Sequence, residues 1–274
     1  MPNEEICKDD NPFGQTRGDV RILVAEDNIT NQQVMMAILE KLGLRANVAT
    51  NGIEVIQALE TSSYDLVLMD VHMPEMDGLK ATKKIRDPQS RVLDHHVVII
   101  AMTALALQGD REKCLSAGMD DYVTKPVKLE TLAAVLEKWL KPRAEAVQKT
   151  EEGGAGAFTP TEESPLIFDR ATMLHNLMND VNLAREVFEM FLRDMPSQIR
   201  DLKGYVATGD SSLVMQQAHK IRGAAATIGG GAMSALAAVM EQAGEDEDLA
   251  IVSAKMPELD AQFEALREAV NHEL

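Results

Sequence analysis

The sequence has 274 residues and a formal net charge of −17 at pH 7, and 45% of its residues are hydrophobic while 4% are aromatic. This length and composition predict one or two globular domains with aliphatic cores. The acidic balance argues against nucleic acid as a partner, because DNA binding depends on cationic side chains that neutralise phosphates. The longest apolar run, residues 97–107, is shorter than the about 18 residues of a membrane helix, so we expect no membrane contact by this chain itself.

The N-terminal tail, residues 1–19, is polar and acidic, unlike a signal peptide. Cys7 lies in this tail and Cys114 in an apolar helical pattern. Two cysteines are too few for a disulfide framework or a zinc site. We therefore expect reduced thiols, with Cys114 in a core, and a cytoplasmic location.

Residues 20–142 alternate between short apolar runs and helical periodicity. The first, third and fourth runs are continuously apolar, which is typical of parallel strands buried on both faces. Alternating strands and helices predict a doubly wound α/β domain with a five-stranded parallel sheet. The predicted strands are 21–25, 46–49, 66–69, 97–102 and 122–124, and the predicted helices are 30–42, 51–59, 78–86, 110–117 and 129–140.

Residues 143–167 lose this periodicity and are rich in glycine, proline and glutamate, which indicates a flexible linker. From 168 to 274 no strand pattern appears. Four or five amphipathic helices with short turns predict an antiparallel helical bundle, so the fold class is α/β plus all-α. The main helices are predicted at 181–206, 211–228, 233–243 and 256–270.

Polar residues follow four strands of the first domain at their carboxyl ends, where doubly wound sheets bind ligands. They are Glu26, Asp27, Asp70, Thr103 and Lys125. Converging carboxylates repel one another unless a cation lies among them, and oxygen ligands suit Mg²⁺. A carboxylate here can attack phosphorus as a nucleophile, with the metal, a lysine and a hydroxyl balancing charge on the phosphoryl group.

Five motifs in this domain carry a family resemblance: VAEDN (24–28), LMDVHMP (68–74), MDG (76–78), MTA (102–104) and GMDDYVTKP (118–126). Together they resemble the receiver domain of two-component response regulators, particularly the receivers of hybrid histidine kinases, which have a flavodoxin-like fold. The resemblance implies that Asp70 accepts the phosphoryl group. It also implies that Glu26, Asp27, Asp70 and the backbone carbonyl of His72 hold Mg²⁺.

The same resemblance assigns the remaining receiver residues. Thr103 and Lys125 bind the phosphoryl group, and Tyr122 is a switch aromatic that turns inward when Thr103 moves toward the phosphate. Ala104 is small enough to permit that turn. The bond between Lys125 and Pro126 corresponds to one that the family holds cis.

A phosphatase of the haloacid-dehalogenase type is a rival interpretation of the acidic site. Such enzymes also use an aspartate at a strand end, but they need a second aspartate two positions later as the acid. Here that position is His72. The rival therefore lacks its defining residue.

The second domain carries a histidine on the helix predicted at 211–228. Val214, Ala218, Ile221, Ala225 and Ile228 form an apolar stripe spaced 4-3-4-3, which predicts the core face. The stripe turns His219 away from the bundle core, so we expect this side chain to point into solvent.

The neighbours of His219 suit an exposed carrier of phosphate. Gly223, one turn on, leaves room for another protein to approach the imidazole, and Arg222 places a cation beside a phosphate on the ring. The run AHKIRG (218–223) after Gly209-Asp210 resembles the histidine phosphotransfer (HPt) domain over about residues 168–270. The resemblance implies that His219 is a phosphoacceptor supported by Lys220, Arg222 and Gly223. Position 222 is more often lysine in that family.

The two resemblances together imply a phosphorelay protein: a histidine kinase phosphorylates Asp70, and His219 carries the group to the receiver of a separate response regulator. We expect the C-terminal part of a hybrid sensor kinase, on the cytoplasmic side if that kinase is membrane-bound, or a free-standing relay protein. No Gly-x-x-x-x-Gly-Lys loop or kinase-type ATP site is visible, so we expect no self-phosphorylation from ATP.

Three questions stay open at this point. The linker is about 25 residues long and reaches about 25–30 Å as a random coil, which permits transfer from Asp70 to His219 on one chain without requiring it. An alternative function is an interaction module, in which phosphorylation of Asp70 switches docking and His219 only drains the phosphate. A weaker one is a phosphatase acting on a diffusible substrate.

Overall fold

The computed structural model describes residues 20–103, 108–140 and 165–273. The first domain has five strands, β1 (Ile22–Ala25), β2 (Ala46–Ala49), β3 (Leu66–Asp70), β4 (Val98–Thr103) and β5 (Asp121–Thr124). All neighbouring pairs are parallel, and the strand order is β2-β1-β3-β4-β5. This is the flavodoxin-like order of doubly wound sheets, so the predicted fold class of this domain is confirmed.

Five helices cover the two faces of the sheet: α1 (Ile29–Lys41), α2 (Gly52–Thr61), α3 (Gly78–Arg86), α4 (Gln108–Ser116) and α5 (Leu129–Leu140). α1 and α5 pack on the face formed by residues such as Val24 and Leu68. α2, α3 and α4 pack on the opposite face. Cys114 is buried in that second core, as expected, while Cys7 lies outside the described residues.

The second domain is helical, with α6 (Arg170–Asn176), α7 (Val181–Thr208), α8 (Ser211–Thr227), α9 (Gly231–Glu245) and α10 (Leu249–Glu273). The predicted helical bundle is confirmed. Gly209 ends α7 in the left-handed conformation (φ 76°), and the Asp210 carboxylate caps α8 by accepting a hydrogen bond from the Leu213 N–H. This turn sets α8 antiparallel to α7.

Two helical segments differ from the prediction by more than two residues. α6 was not predicted, and its seven residues are too short for periodicity to reveal. α10 begins at Leu249 rather than at 256, since the Asp248 carboxylate accepts the Ile251 N–H near its start and Pro257 lies inside the helix. The predicted linker, 143–167, lies mostly outside the described residues, and its boundaries remain a prediction.

The two domains are in contact, because α7 and α8 pack against α1. A single hydrophobic cluster extends from the α1 face of the sheet into the bundle. This packing brings the carboxyl ends of the strands opposite the middle of α8. Among the described residues, no helix is both long and apolar enough to cross a membrane.

Candidate functional site

The acidic residues predicted at the strand ends meet in one cluster. Glu26 follows β1, Asp70 ends β3, and each side chain is only 2% exposed. Carboxylate oxygens of Glu26, Asp27 and Asp70 all lie within 4.8 Å of one another. These oxygens, supplied at the ends of β1 and β3, form a set of hard ligands that fits a divalent cation such as Mg²⁺.

Lys125 connects two of these acids. Its Nζ lies 2.6 Å from Oε2 of Glu26 and 2.6 Å from Oδ2 of Asp70. Burial alone lowers the pKa of Lys125, but the two carboxylates outweigh it and the pKa is raised. Burial raises the pKa of Glu26, opposed by the Lys125 ammonium. The lysine is therefore a cation at neutral pH.

Local backbone geometry holds the acids in place. The backbone N–H of Asn28 and the side-chain amide of Asn31 both donate to Oε1 of Glu26, at 3.2 and 3.1 Å. The His72 N–H donates to Oδ1 of Asp70 at 3.2 Å. Asn28 also caps α1 by accepting the N–H of Asn31 at 3.2 Å. The carboxylate orientations are thus built into the loops after β1 and β3.

The other predicted receiver residues surround this cluster at different depths. Thr103 ends β4 and is buried. Tyr122 lies on β5 with a half-buried side chain, and the Arg111 guanidinium lies 5.6 Å from the centre of its ring. The bond between Lys125 and Pro126 is cis. Ala104 lies outside the described residues.

His219 lies on α8, and its position corrects one expectation. The stripe of Val214, Ala218, Ile221, Ala225 and Ile228 is buried in the bundle core, as predicted. His219 does point away from that core, but it is only 6% exposed rather than in solvent. The reason is that the first domain covers this face of α8, which helical periodicity cannot reveal.

The imidazole of His219 is oriented by an acid from α9. Nδ1 of His219 lies 2.8 Å from Oε1 of Glu241. A carboxylate can only accept, so Nδ1 carries the hydrogen and Nε2 keeps its lone pair. Arg222 pairs with Oε2 of the same glutamate at 2.9 Å, and its own 3.4 Å approach to Nδ1 is too long to compete. Glu241 was not among the predicted site residues. It lies on α9 and His219 lies on α8, so periodicity within one helix could not relate the two residues.

Polar and ring contacts join α8, the carrier helix that holds His219, to the receiver-like domain. Nζ of Lys220 lies 2.7 Å from Oδ2 of Asp27. Asn28 donates from Nδ2 to the Lys220 carbonyl at 3.3 Å. Thr227 donates from Oγ1 to Oδ1 of Asn31 at 3.0 Å. The rings of His72 and His219 are 4.4 Å apart between centroids.

The side chain of His72 was not predicted to take part, since only its backbone carbonyl was assigned a role. It is half-buried, and its Nδ1 has no hydrogen-bond partner among the described residues. Burial, followed by the neighbouring His219, lowers the pKa of His72 to about 4. The ring that packs against His219 is therefore neutral at pH 7.

Both predicted phosphoacceptors line one small cavity between the domains. Its lining includes Asp70, Lys125, His219 and Gly223. The cavity measures about 10 Å³, which is room for about one water molecule. Asp27 also lines it, and burial raises the pKa of that carboxyl group while Lys220 opposes the shift. The structure thus brings the two predicted sites together as one.

Two family models match the chain. Residues 22–137 match the response regulator receiver domain, and residues 186–269 match the Hpt domain. The sensor histidine kinase GacS of Pseudomonas protegens is 30% identical over 207 residues, covering 74% of this chain and 22% of that protein. Probable histidine kinase 1 of Oryza sativa subsp. indica is 38% identical over 151 residues, covering 45% of this chain and 16% of that protein.

Among solved structures, the receiver domain of sensor histidine kinase PA1611 from Pseudomonas aeruginosa PAO1, described with a coordinated magnesium ion, is 44% identical with a TM-score of 0.41. The match covers 45% of this chain and 98% of the chain in that structure. The chain spans no more than 22% of the length of the two kinases. By these two family matches, the chain contains a response regulator receiver domain followed by an Hpt domain, the arrangement found in hybrid histidine kinases.

Proposed function

We propose that the chain is a phosphorelay segment in which Asp70 receives a phosphoryl group from an upstream histidine kinase and passes it to His219 of the same chain. His219 then delivers the group to the receiver of a separate response regulator. The observation that carries this proposal is the shared cavity, which both Asp70 and His219 line. The receiver and Hpt domains support a role in phosphorelay. The proposal adds the identity of the acceptor residues and the direction of transfer.

The chemistry of the internal step follows from the contacts. Nε2 of His219 attacks the phosphorus of the aspartyl phosphate, the new P–N bond forms, and the P–O bond to Asp70 breaks. The Asp70 carboxylate leaves with the electron pair of that bond and is received by the Lys125 ammonium, which lies 2.6 Å away. Glu241 holds the Nδ1 hydrogen and stabilises the positive charge that the ring gains.

A divalent cation fits the same site. Mg²⁺ would be held by Glu26, Asp27, Asp70 and the backbone carbonyl of His72, where its charge would neutralise the transferring oxygens. The fit rests on three buried or half-buried carboxylates within one cluster. Their combined negative charge is greater than the single positive charge of Lys125 compensates.

The proposal is tested by labelling the full chain with a small acyl phosphate. We expect wild-type protein to carry label on both residues, which are distinguished because aspartyl phosphate is labile in base and phosphohistidine in acid. Asp70→Asn should lose both labels, and His219→Gln should keep only the label on Asp70. Labelling of His219 in Asp70→Asn would overturn the assignment.

Transfer within one chain has its own signature. The rate at which His219 acquires label from Asp70 should be independent of protein concentration. A mixture of Asp70→Asn and His219→Gln, which can only react between chains, should label His219 at a rate that rises with concentration and stays below the wild-type rate at micromolar protein. Equal rates in the two cases would place the transfer between chains.

A further inference from the structure

Lys220 brings a cation from the Hpt domain into the acidic cluster of the receiver domain. Its Nζ lies 2.7 Å from Oδ2 of Asp27, and the two side chains are 22% and 4% exposed. The backbone at this point is held as well, because Asn28 donates to the Lys220 carbonyl. Lys220 directly follows His219 in the sequence, so its ion pair with Asp27 forms when the carrier helix is docked on the receiver domain.

The charges of the cluster show what this ammonium does. Glu26, Asp27 and Asp70 carry three negative charges when ionised. Lys125 and Lys220 supply two positive charges, which leaves one negative charge over. A divalent cation together with Lys125 would balance the three carboxylates without Lys220. The Lys220 ammonium would then be a surplus positive charge in a buried site, beside another cation, where like charges repel strongly.

We propose that Lys220 and a divalent cation compete for the Asp27 carboxylate, so that docking of the Hpt domain and metal binding by the unphosphorylated receiver domain oppose each other. The proposal deepens the proposed function, on which it rests for the identity of the metal site. By linkage, the factor by which docking weakens metal binding equals the factor by which the metal weakens docking.

Phosphorylation changes the balance in favour of docking. An aspartyl phosphate carries about two negative charges where the Asp70 carboxylate carried one. The cluster then holds about four negative charges, which a divalent cation, Lys125 and Lys220 together compensate. The competition is thus confined to the unphosphorylated receiver, and the domain that carries His219 can dock on a receiver loaded with both metal and phosphate.

The test is the affinity of unphosphorylated full-length chain for Mg²⁺, measured by calorimetry. We expect Lys220→Gln to bind Mg²⁺ about fivefold or more tightly than wild type. Lys220→Arg keeps the cation and should bind about as weakly as wild type. Lys203→Gln removes an exposed lysine that pairs with Asp260 within the bundle, and it should not change the affinity. Equal affinities for wild type and Lys220→Gln would overturn the proposal.

Docking is followed independently by hydrogen exchange of the backbone amides in α1 and α8. In wild-type protein, Mg²⁺ should lower the protection of these segments, and a phosphoryl analogue added with Mg²⁺ should restore it. If Mg²⁺ alone raises the protection, the competition is refuted. Neither measurement uses a phosphodonor, so a negative result here leaves the labelling test of Asp70 and His219 unaffected.

Discussion

Nδ1 of His219 lies 2.8 Å from Oε1 of Glu241, an acid that reaches the carrier helix from α9. The carboxylate selects the imidazole tautomer in which Nε2 has the free lone pair. It also places a negative charge where the ring becomes positive during attack on phosphorus. Glu241 is therefore a positioning residue for the proposed transfer, and Arg222 in turn holds Glu241.

Glu241→Gln should slow the transfer from Asp70 to His219 by about 10-fold to 100-fold. The amide still fits the space, but it stabilises the charged ring less and no longer selects one tautomer. Rapid-quench labelling measures the rate, and the nitrogen chemical shifts of His219 report the tautomer. Glu245→Gln, on the exposed face of the same helix, is the matched control. A wild-type rate in Glu241→Gln would exclude this role.

Gly223→Gln should block docking of the Hpt domain. Among the described residues, a Cβ at Gly223 would meet Nδ2 of Asn31, at 3.4 Å, so alanine fits this position. A longer side chain would run into α1 of the receiver domain. We expect Gly223→Ala to transfer like wild type, and Gly223→Gln to lose about 10-fold or more in transfer rate while Asp70 is labelled normally.

The control for this experiment is Gly204→Gln on α7, where an added Cβ would meet no atom of the described residues within 4 Å outside its own helix turn. It should leave both labelling steps unchanged. If Gly223→Gln transfers at the wild-type rate, the docked arrangement of α8 on α1 is not the one that reacts.

Lys125→Met should destabilise the receiver domain in metal-free buffer by about 3 kcal/mol, because it removes the cation shared by two buried carboxylates. Millimolar Mg²⁺ should recover part of that loss, since a bound cation stabilises the folded state by mass action. Urea unfolding with and without Mg²⁺ measures both effects.

Lys80→Met is the comparison for Lys125→Met. Its ammonium is exposed and, among the described residues, pairs with Asp77, so the free energy of unfolding should stay close to that of wild type. A destabilisation of Lys125→Met that Mg²⁺ does not reduce would contradict a metal site among these acids.

Gly78→Ala should destabilise the receiver domain by about 1–3 kcal/mol. An added Cβ would come within 2.1 Å of the backbone oxygen of Asp70, so either α3 or the end of β3 must move. Labelling of Asp70 should slow as well. Gly204→Ala, in open space on a helix, should instead stabilise the protein by up to about 1 kcal/mol. Equal stability of the two variants would refute this packing argument.

Much of the receiver domain could be predicted because its signals are local. Continuous apolar runs mark the buried parallel strands, and β2, α3 and α5 have the predicted bounds. Once the strands are parallel, topology alone gathers the residues at their carboxyl ends. The acids of the cluster can therefore be predicted from their positions at the ends of strands, without knowledge of any contact.

Other features depend on neighbours that no local pattern encodes. Helical periodicity correctly predicts which face of α8 enters the bundle core, but it cannot predict that the opposite face meets α1. The burial of His219, the contact with His72 and the ion pair between Lys220 and Asp27 all follow from that second packing. Glu241 was missed for the same reason, because it reaches His219 only through the packing of α9 on α8.

By itself, the sequence determined the two domain types, the strand-end cluster of acids and the histidine helix, since each depends on residues close together in the chain or on the regular geometry of a sheet. Only the tertiary structure decided that Asp70 and His219 share one cavity and that Lys220 enters the acidic cluster. The physical reason is that contact between two domains depends on complementary surfaces, which become defined only after each domain has folded.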